Sequence, residues 1–337
     1  MIRELIQRIQ NLQSEGNENF DAGLFPSYRM NSVWGYRRPD NNIFASLSVC
    51  FVLDELASGV AEDEQVAVDQ IKEKIIRNLP KYQTKSSRCT YNFYQKGMND
   101  HFPYGLVMNR FRHFKLPDDI DDTSLAFLTQ NINPAPLRHL LILHSHQDGV
   151  YDTWFGKNMP KEKDACALCN LMYLVFSSGE ELNENDERTL AYLNKIIVSG
   201  EYFNKPFWVA RHYGTVPLIV YHYVRLISKF DIPQLSEAKT IITKKIPEIL
   251  KNEEVYLNQI ILQTSGFKLG LNLSKPSKST EGAFYSFIGA PFAPLPFKWF
   301  RGLASKKWAV LGWKCEAHEL ALQLENAVCK RIIAEEI

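Results

Sequence analysis

Leu116-Pro117-Asp118-Asp119-Ile120-Asp121-Asp122-Thr123-Ser124-Leu125 is the stretch that decides how this chain is interpreted. It places four carboxylates within five consecutive positions, after a proline and before an apolar run. Like charges this close repel one another, so we expect at least one aspartate to keep its proton near neutral pH. A carboxylic acid that stays protonated can serve as a general acid.

Helix capping offers a simpler explanation for part of this acidic cluster. Aspartate is a favoured N-cap residue, and acidic side chains in a first turn interact well with the positive end of the helix dipole. A helix predicted over 123–131 would use one or two of the aspartates in this way. Four exceed what capping requires, because each added carboxylate is repelled by the others. We therefore predict a functional acidic cluster.

Length and composition indicate a globular protein with a large core. The chain has 337 residues, of which 45% are hydrophobic and 23% charged, and no low-complexity linker divides it. We predict one domain spanning 1–337. Thirty-nine Lys and Arg balance 38 Asp and Glu, so no overall charge favours nucleic acid or an anionic membrane. The absence of a signal-like start, of a membrane-length apolar run and of a cysteine framework predicts a cytoplasmic protein.

The hydrophobic pattern predicts helices through most of the chain. Apolar residues recur near helical spacing over nine segments: 42–58, 62–79, 123–131, 164–176, 186–198, 215–229, 236–250, 252–264 and 315–333. Convincing alternating strands are missing, and short polar turns separate successive helices. We interpret 81–114, 265–281 and 289–297 as irregular. The pattern predicts an all-α fold of stacked antiparallel helical hairpins.

The string Asp119-Ile120-Asp121-Asp122-Thr123-Ser124 resembles the D-x-D-D-T-S acid motif of class II terpene cyclases, the squalene–hopene and copalyl diphosphate type. Together with Phe102-Pro103, Tyr151-Asp152-Thr153-Trp154-Phe155 and the helix start at 164–170, it looks like the α/α toroid of terpenoid cyclases and protein prenyltransferases. The resemblance implies that Asp121 protonates an alkene or epoxide and so starts a carbocation cascade, an isomerase-type reaction. It also implies that Asp119 and Asp122 hold the geometry of Asp121 and tune its acidity.

The chain departs from that family in two respects. Class II cyclases usually enclose the substrate between two helical barrels, whereas this length accommodates about one. The glutamine–tryptophan repeats of triterpene cyclases are also missing. A single barrel could form its pocket internally, borrow a wall from a homodimer partner or another chain, or keep the fold without catalysis.

Aromatic and basic residues supply the predicted substrate contacts, because ring faces stabilise positive charge and Arg or Lys binds phosphate oxygens. These contacts are Tyr151, Trp154, Tyr213, His222, Trp299 and Arg301. Lys298-Trp299-Phe300-Arg301 and Lys306-Lys307-Trp308 would hold a diphosphate head, or else form solvated surface loops. A histidine or tyrosine of 211–213 or 221–223 could hydrogen-bond the Asp121 carboxyl and sharpen its acidity.

Two possible metal-binding sites are alternatives to a metal-free general acid. The five residues from Asp118 also match D-D-x-x-D, the magnesium–diphosphate motif of class I terpene synthases. Asn185-Asp186-Glu187-Arg188-Thr189 begins like the second metal motif of that family, but Leu193 stands where its last glutamate is expected. Asp164-x-Cys166 has the zinc-ligand spacing of protein prenyltransferases, and His212, His222 or His318 could complete that site. We predict no cofactor: magnesium could enter only with a diphosphate substrate, and zinc is not expected.

Three functions follow from these observations. The first is cyclisation of a hydrophobic isoprenoid, which a dry aromatic cavity above Asp121 would favour. The second is an α/α-barrel carbohydrate-active enzyme that uses paired aspartates, with Trp154 or Tyr151 stacking on a sugar. An open groove with carboxylates about 5–10 Å apart would favour it. The third is a non-catalytic binding or scaffold toroid, with a filled centre and solvent-facing aspartates.

Overall fold

A computed structural model describes residues 1–56, 59–83, 89–95, 116–145, 147–155, 161–273, 283–289 and 302–336. Its helices are α1 (Ile2–Asn11), α2 (Phe44–Glu55), α3 (Glu62–Ile76), α4 (Ile120–Gln130), α5 (Ala135–His144), α6 (Ala165–Ser177), α7 (Glu184–Val198), α8 (Glu201–Asn204), α9 (Pro206–Val209), α10 (Val216–Lys229), α11 (Ser236–Lys251), α12 (Tyr256–Lys268) and α13 (Glu316–Glu336). Within the described ranges, none of them is both long enough and apolar enough to traverse a bilayer.

Each of the nine predicted helical segments contains a helix, while α1, α5, α8 and α9 were not predicted. Helix α12 begins at Tyr256 and continues to Lys268, so Ser265 and Gly266, assigned to a loop from the sequence, are buried helical residues. The Pro-containing segments 274–282 and 290–297 lie outside the described residues.

Six helices contact one another around a closed ring. Helix α2 contacts α4, α4 contacts α6, α6 contacts α10, α10 contacts α12, α12 contacts α13, and α13 returns to α2. The sequence explains this placement, because a helix that is apolar on all sides must be buried. In α6 every residue from Ala165 to Val175 is buried, and in α10 every residue from Pro217 to Ile227. Helices α3, α7 and α11 each expose one face and pack outside α2, α6 and α12 respectively.

The all-α prediction is wrong in one respect, because the described residues include a small antiparallel sheet. Its strands are β1 (Tyr28–Asn31), β2 (Tyr36–Pro39), β3 (Phe287–Gly289) and β4 (Leu311–Lys314), in the order β2-β1-β4-β3. Strands of three or four residues are too short to give a detectable alternation. The sheet borders the acidic cluster, since the Phe287 ring of β3 stacks on His212 at 5.2 Å and contacts Tyr213 at 6.0 Å.

Candidate active site

The acidic cluster opens α4, three residues earlier than predicted. Asp119 is the N-cap, and its Oδ1 accepts the backbone N–H groups of Asp121 at 2.9 Å and Asp122 at 2.8 Å. The capping explanation is therefore right for Asp119. Asp118, Asp119, Asp121 and Asp122 are 6%, 5%, 5% and 2% exposed, so none of the four faces solvent.

Asp118, Asp119 and Asp122 differ in their surroundings from Asp121. Asp118 is hydrogen-bonded to the neighbouring loop, and Asp119 and Asp122 lie close enough to interact with each other. Asp118 accepts hydrogen bonds from Thr90 Oγ1 at 2.6 Å and Asn92 Nδ2 at 3.1 Å. Burial, reinforced by the charge of Asp121, raises the pKa of Asp119 to about 7. Burial and the Asp119 charge raise the pKa of Asp122 well above its ordinary value. Protonation of this pair relieves the repulsion that the sequence predicts.

Asp121 lies where two donors from other elements converge. Asn170 Nδ2 of α6 donates to Oδ1 at 2.6 Å, and the Tyr213 hydroxyl donates to Oδ2. Burial raises the pKa of Asp121, while the Tyr213 and Asn170 hydrogen bonds and the Arg225 charge oppose that rise. Burial therefore favours the protonated acid, and the donors stabilise the carboxylate that remains after the proton leaves.

Arg225 of α10 fixes which end of the Asn170 amide faces Asp121. Its Nη2 donates to Asn170 Oδ1, so the NH2 group of the amide points at the carboxyl. The guanidinium lies over the rings of Phe51, at 4.0 Å, and Tyr221, at 5.3 Å. Among the described residues, Arg225 has no carboxylate within ion-pair distance.

Neither Asn170 nor Arg225 was assigned a role from the sequence, although each leaves a signal there. Asn170 is the one amide side chain in the buried run from Ala165 to Val175, and Arg225 is the one charged residue in the buried run from Pro217 to Ile227. A polar side chain is rarely placed in such a run unless it has a partner.

A second charged cluster lies beside the first. His212 Nε2 contacts Glu162 Oε1 at 2.7 Å, and Arg211 Nη1 donates to Glu162 Oε2 at 3.1 Å. The backbone N–H of His212 donates to Asp164, the N-cap of α6, at 2.9 Å. Burial acts to lower the pKa of His212, but the Glu162 charge outweighs it and raises the pKa to about 9. An imidazolium cation therefore stands next to the aspartates at neutral pH.

The His212 ion pair predicts a decline in stability at alkaline pH. The folded-state pKa of about 9 exceeds the ordinary value of 6.5, so the stabilisation is fully present below 6.5 and lost as pH rises through 9. We expect a loss of up to about 3 kcal/mol in the free energy of unfolding. The raised pKa of Asp119, about 7, also makes stability fall as pH rises, but this effect is complete once the pH exceeds that value.

Urea unfolding at pH values between about 7 and 9.5 measures this decline, and comparison with a non-titrating variant assigns the His212 part of it. The matched variant is His212→Gln, which keeps a hydrogen-bonding side chain but does not titrate. An equally steep decline in this variant would assign the pH dependence to other groups.

A small cavity of about 20 Å³ lies inside the helical ring, between α2, α4, α6, α10 and α13. Its lining residues are Phe44, Ser48, Phe51, Leu125, Asn170, Tyr213, Leu218, Tyr221, His222, Arg225, Ser286, His318 and Leu322. Asn170 and Tyr213 thus connect the Asp121 carboxyl to the cavity wall. The volume holds about one water molecule, whereas ligand pockets typically measure about 300–1,000 Å³. An isoprenoid can enter only if lining side chains move.

Two predicted contacts, Tyr213 and His222, belong to the cavity wall. Trp154 lies beside it: the Trp154 backbone pairs with Asp119, and its ring meets His212 edge-on at 5.3 Å. Tyr151 is fully buried outside the cavity lining, where its hydroxyl donates to Asp186 at 2.9 Å near the start of α7.

The remaining predicted features are distributed as follows. Trp299 and Arg301, with their neighbours in 298–301, lie outside the described residues, as does Phe102-Pro103. Lys306-Lys307-Trp308 is exposed and contributes nothing to the cavity lining. The part of the chain that the structure describes contains no group of three His, Cys, Asp or Glu side chains suited to a metal ion.

No protein-family model and no curated protein matches this sequence. Among solved structures, the chain is similar to a variant of the type II terpene cyclase MstE from Scytonema, in complex with its substrate geranylgeranyl dihydroxybenzoate. The TM-score is 0.54 at 10% sequence identity, and the match covers 97% of this chain and 98% of that one. Because the likeness extends over both chains almost completely, this protein has a type II terpene cyclase-like fold.

Proposed function

We propose that this protein cyclises an isoprenoid by protonation, with Asp121 as the general acid. The observation that carries the proposal is the environment of the Asp121 carboxyl. It is buried, its pKa is raised, and each oxygen accepts a hydrogen bond from a residue of the cavity wall. A carboxyl in such a place keeps its proton to a higher pH than an exposed aspartate and can pass it toward the cavity.

The proposed reaction starts with proton transfer from Asp121 to a carbon of a substrate double bond. The π electrons form the new C–H bond, the other carbon becomes cationic, and Asp121 becomes a carboxylate. Asn170, Tyr213 and the nearby Arg225 charge stabilise that carboxylate. A further double bond then attacks the cation and closes a ring, and loss of a proton ends the cascade.

The cavity lining suits a cationic intermediate in two ways. Phe44 offers an aromatic ring, whose face attracts positive charge, whereas the Phe51 and Tyr221 rings already meet the Arg225 guanidinium. Burial lowers the pKa of His222 well below its ordinary value and that of His318 to about 3, so both histidines are neutral and Arg225 is the one charged side chain of the lining. Ring closure in such an enclosed space also excludes water, which would otherwise quench the cation.

The closed ring of six helices supports a single α/α toroid over 1–337, with its pocket inside the ring. The acid at the start of α4 and the cavity between the inner helices fit one barrel without a second one. The sugar-processing alternative receives less support, because all four aspartates are buried rather than set along an open groove.

A non-catalytic toroid is the second candidate, and the size of the cavity favours it. A volume of about 20 Å³ leaves the centre of the ring almost filled. Such a protein would keep the buried polar network of Asp121 for the stability of the fold alone.

Product analysis separates the two candidates. The purified protein is incubated with farnesyl diphosphate, geranylgeranyl diphosphate, squalene and geranylgeranyl dihydroxybenzoate, each with and without EDTA, and the extracts are analysed by mass spectrometry. A cyclised isomer of one substrate supports the proposal, and its persistence with EDTA supports metal-free chemistry. Unchanged substrate throughout, with no shift in melting temperature on adding any of them, favours the non-catalytic toroid.

A further inference from the structure

Two turns at one end of the sheet, together with the exposed arginines of β2, form a basic–aromatic surface, which we define as Trp34, Arg37, Arg38, Lys306, Lys307 and Trp308. Arg37 and Arg38 follow each other in this edge strand, so they lie on its two faces beside the first turn. The first turn joins β1 to β2, and the second precedes β4. Antiparallel pairing of Met30 with Gly312 brings both turns to the same end of the sheet. Asn31 fastens them together, since its Nδ2 donates to the carbonyls of Lys307 at 3.1 Å and Val310 at 2.8 Å.

The local charge of this surface differs from that of the whole chain. Residues 28–39 and 302–314 contain six Lys and Arg and no Asp or Glu, although the chain carries a net charge of only +1. Arg29 and Lys314 are compensated by Asp40 at 3.9 Å and Glu319 at 3.2 Å. The other four cations are exposed and form no ion pair with the residues that the structure describes.

The aromatic residues of this surface present apolar faces to solvent. Trp34 is 68% exposed, the neighbouring Val33 57% and Trp308 43%. Trp34 Nε1 donates to the Trp308 carbonyl at 2.8 Å, so its polar edge is satisfied within the protein. Large apolar side chains grouped on two adjacent turns are uncommon in a surface that meets only water.

We propose that the basic–aromatic surface binds an anionic lipid bilayer. Tryptophan prefers the membrane–water interface, and here the Trp34 ring can meet acyl chains while its N–H stays bonded to the Trp308 carbonyl. Lys and Arg beside it are attracted to anionic headgroups, and the four uncompensated cations supply that attraction. A nucleic acid would use the same cations, but the aliphatic Val33 at the tip of the turn favours a hydrocarbon phase.

Vesicle flotation with the full-length protein tests this proposal. Vesicles contain phosphatidylcholine alone or with about 30% phosphatidylserine. We expect binding to the anionic vesicles, a blue shift of tryptophan fluorescence on binding, and loss of binding at high salt. Combined replacement of Arg37, Arg38, Lys306 and Lys307 by serine should weaken the partition by at least about tenfold. Trp34→Ala with Trp308→Ala should remove most of the fluorescence shift.

The matched control replaces four exposed lysines of α7 and α11 by serine: Lys195, Lys239, Lys244 and Lys251. Its net charge equals that of the four-serine variant, so a general charge effect would weaken both equally and overturn the proposal. Binding to heparin or oligonucleotides without binding to vesicles would also overturn it, in favour of a polyanionic partner. No isoprenoid is present in the assay, so its outcome is independent of whether the protein cyclises one.

Discussion

Replacing Asp121 by asparagine is expected to lower the rate of cyclisation by about 10²–10⁴-fold, the usual contribution of a positioned general acid. The asparagine amide still accepts a hydrogen bond on its oxygen, but it carries no proton acidic enough to protonate an alkene. The side chain keeps its size in a buried site, so we expect the fold to survive. Mass-spectrometric product yield and circular dichroism measure the two effects separately.

Asp118→Asn provides the matched control for this experiment. Asp118 belongs to the same acidic cluster and is equally buried, but it accepts hydrogen bonds from Thr90 and Asn92, neither of which lines the cavity. The substitution turns one acceptor into a donor, which the Thr90 hydroxyl can accept after rotating, so we expect a loss of only about 0.5–1.5 kcal/mol in stability. Most of the activity should remain. Equal loss of activity in both variants, or full activity in Asp121→Asn, would remove Asp121 from its proposed role.

The sequence was informative for features formed by residues that are close together in the chain. The acidic cluster is a local feature of the sequence, and composition alone predicts that a helix apolar on all sides is buried. Asp119 could be both an N-cap and a member of the cluster, and the structure shows that it is. These features can be predicted without knowledge of any long-range contact.

Contacts between distant residues could not be predicted in the same way. Asn170 is 49 positions from Asp121, and Arg225 is a further 55 positions from Asn170, so only the closed ring of helices joins them. The two tyrosines illustrate the difficulty: Tyr213 reaches Asp121, whereas Tyr151 secures Asp186 outside the cavity. Both residues are tyrosines, but the fold decides which one contacts Asp121.

Arg225→Met is expected to weaken the acid rather than remove it. Arg225 orients the Asn170 amide, and its charge opposes the rise in the pKa of Asp121. Without it, Asn170 is free to turn its carbonyl toward Asp121, and the carboxylate loses both a donor and a nearby positive charge. Each unit by which the pKa rises costs about 1.36 kcal/mol in proton transfer, or up to about tenfold in rate. We expect a total loss of about a hundredfold in kcat.

The pH profile separates this electrostatic role from a merely structural one. In the proposed mechanism protonated Asp121 is the active form, so activity should fall as pH rises through its pKa. Because Arg225 holds that pKa down, Arg225→Met should move the alkaline limb to higher pH while lowering the plateau. Arg225→Lys keeps the charge and should leave the limb near its original position, with a smaller loss from imperfect bonding to Asn170. A lower plateau with an unmoved limb in Arg225→Met, accompanied by a lower melting temperature, would mean that Arg225 only supports the fold.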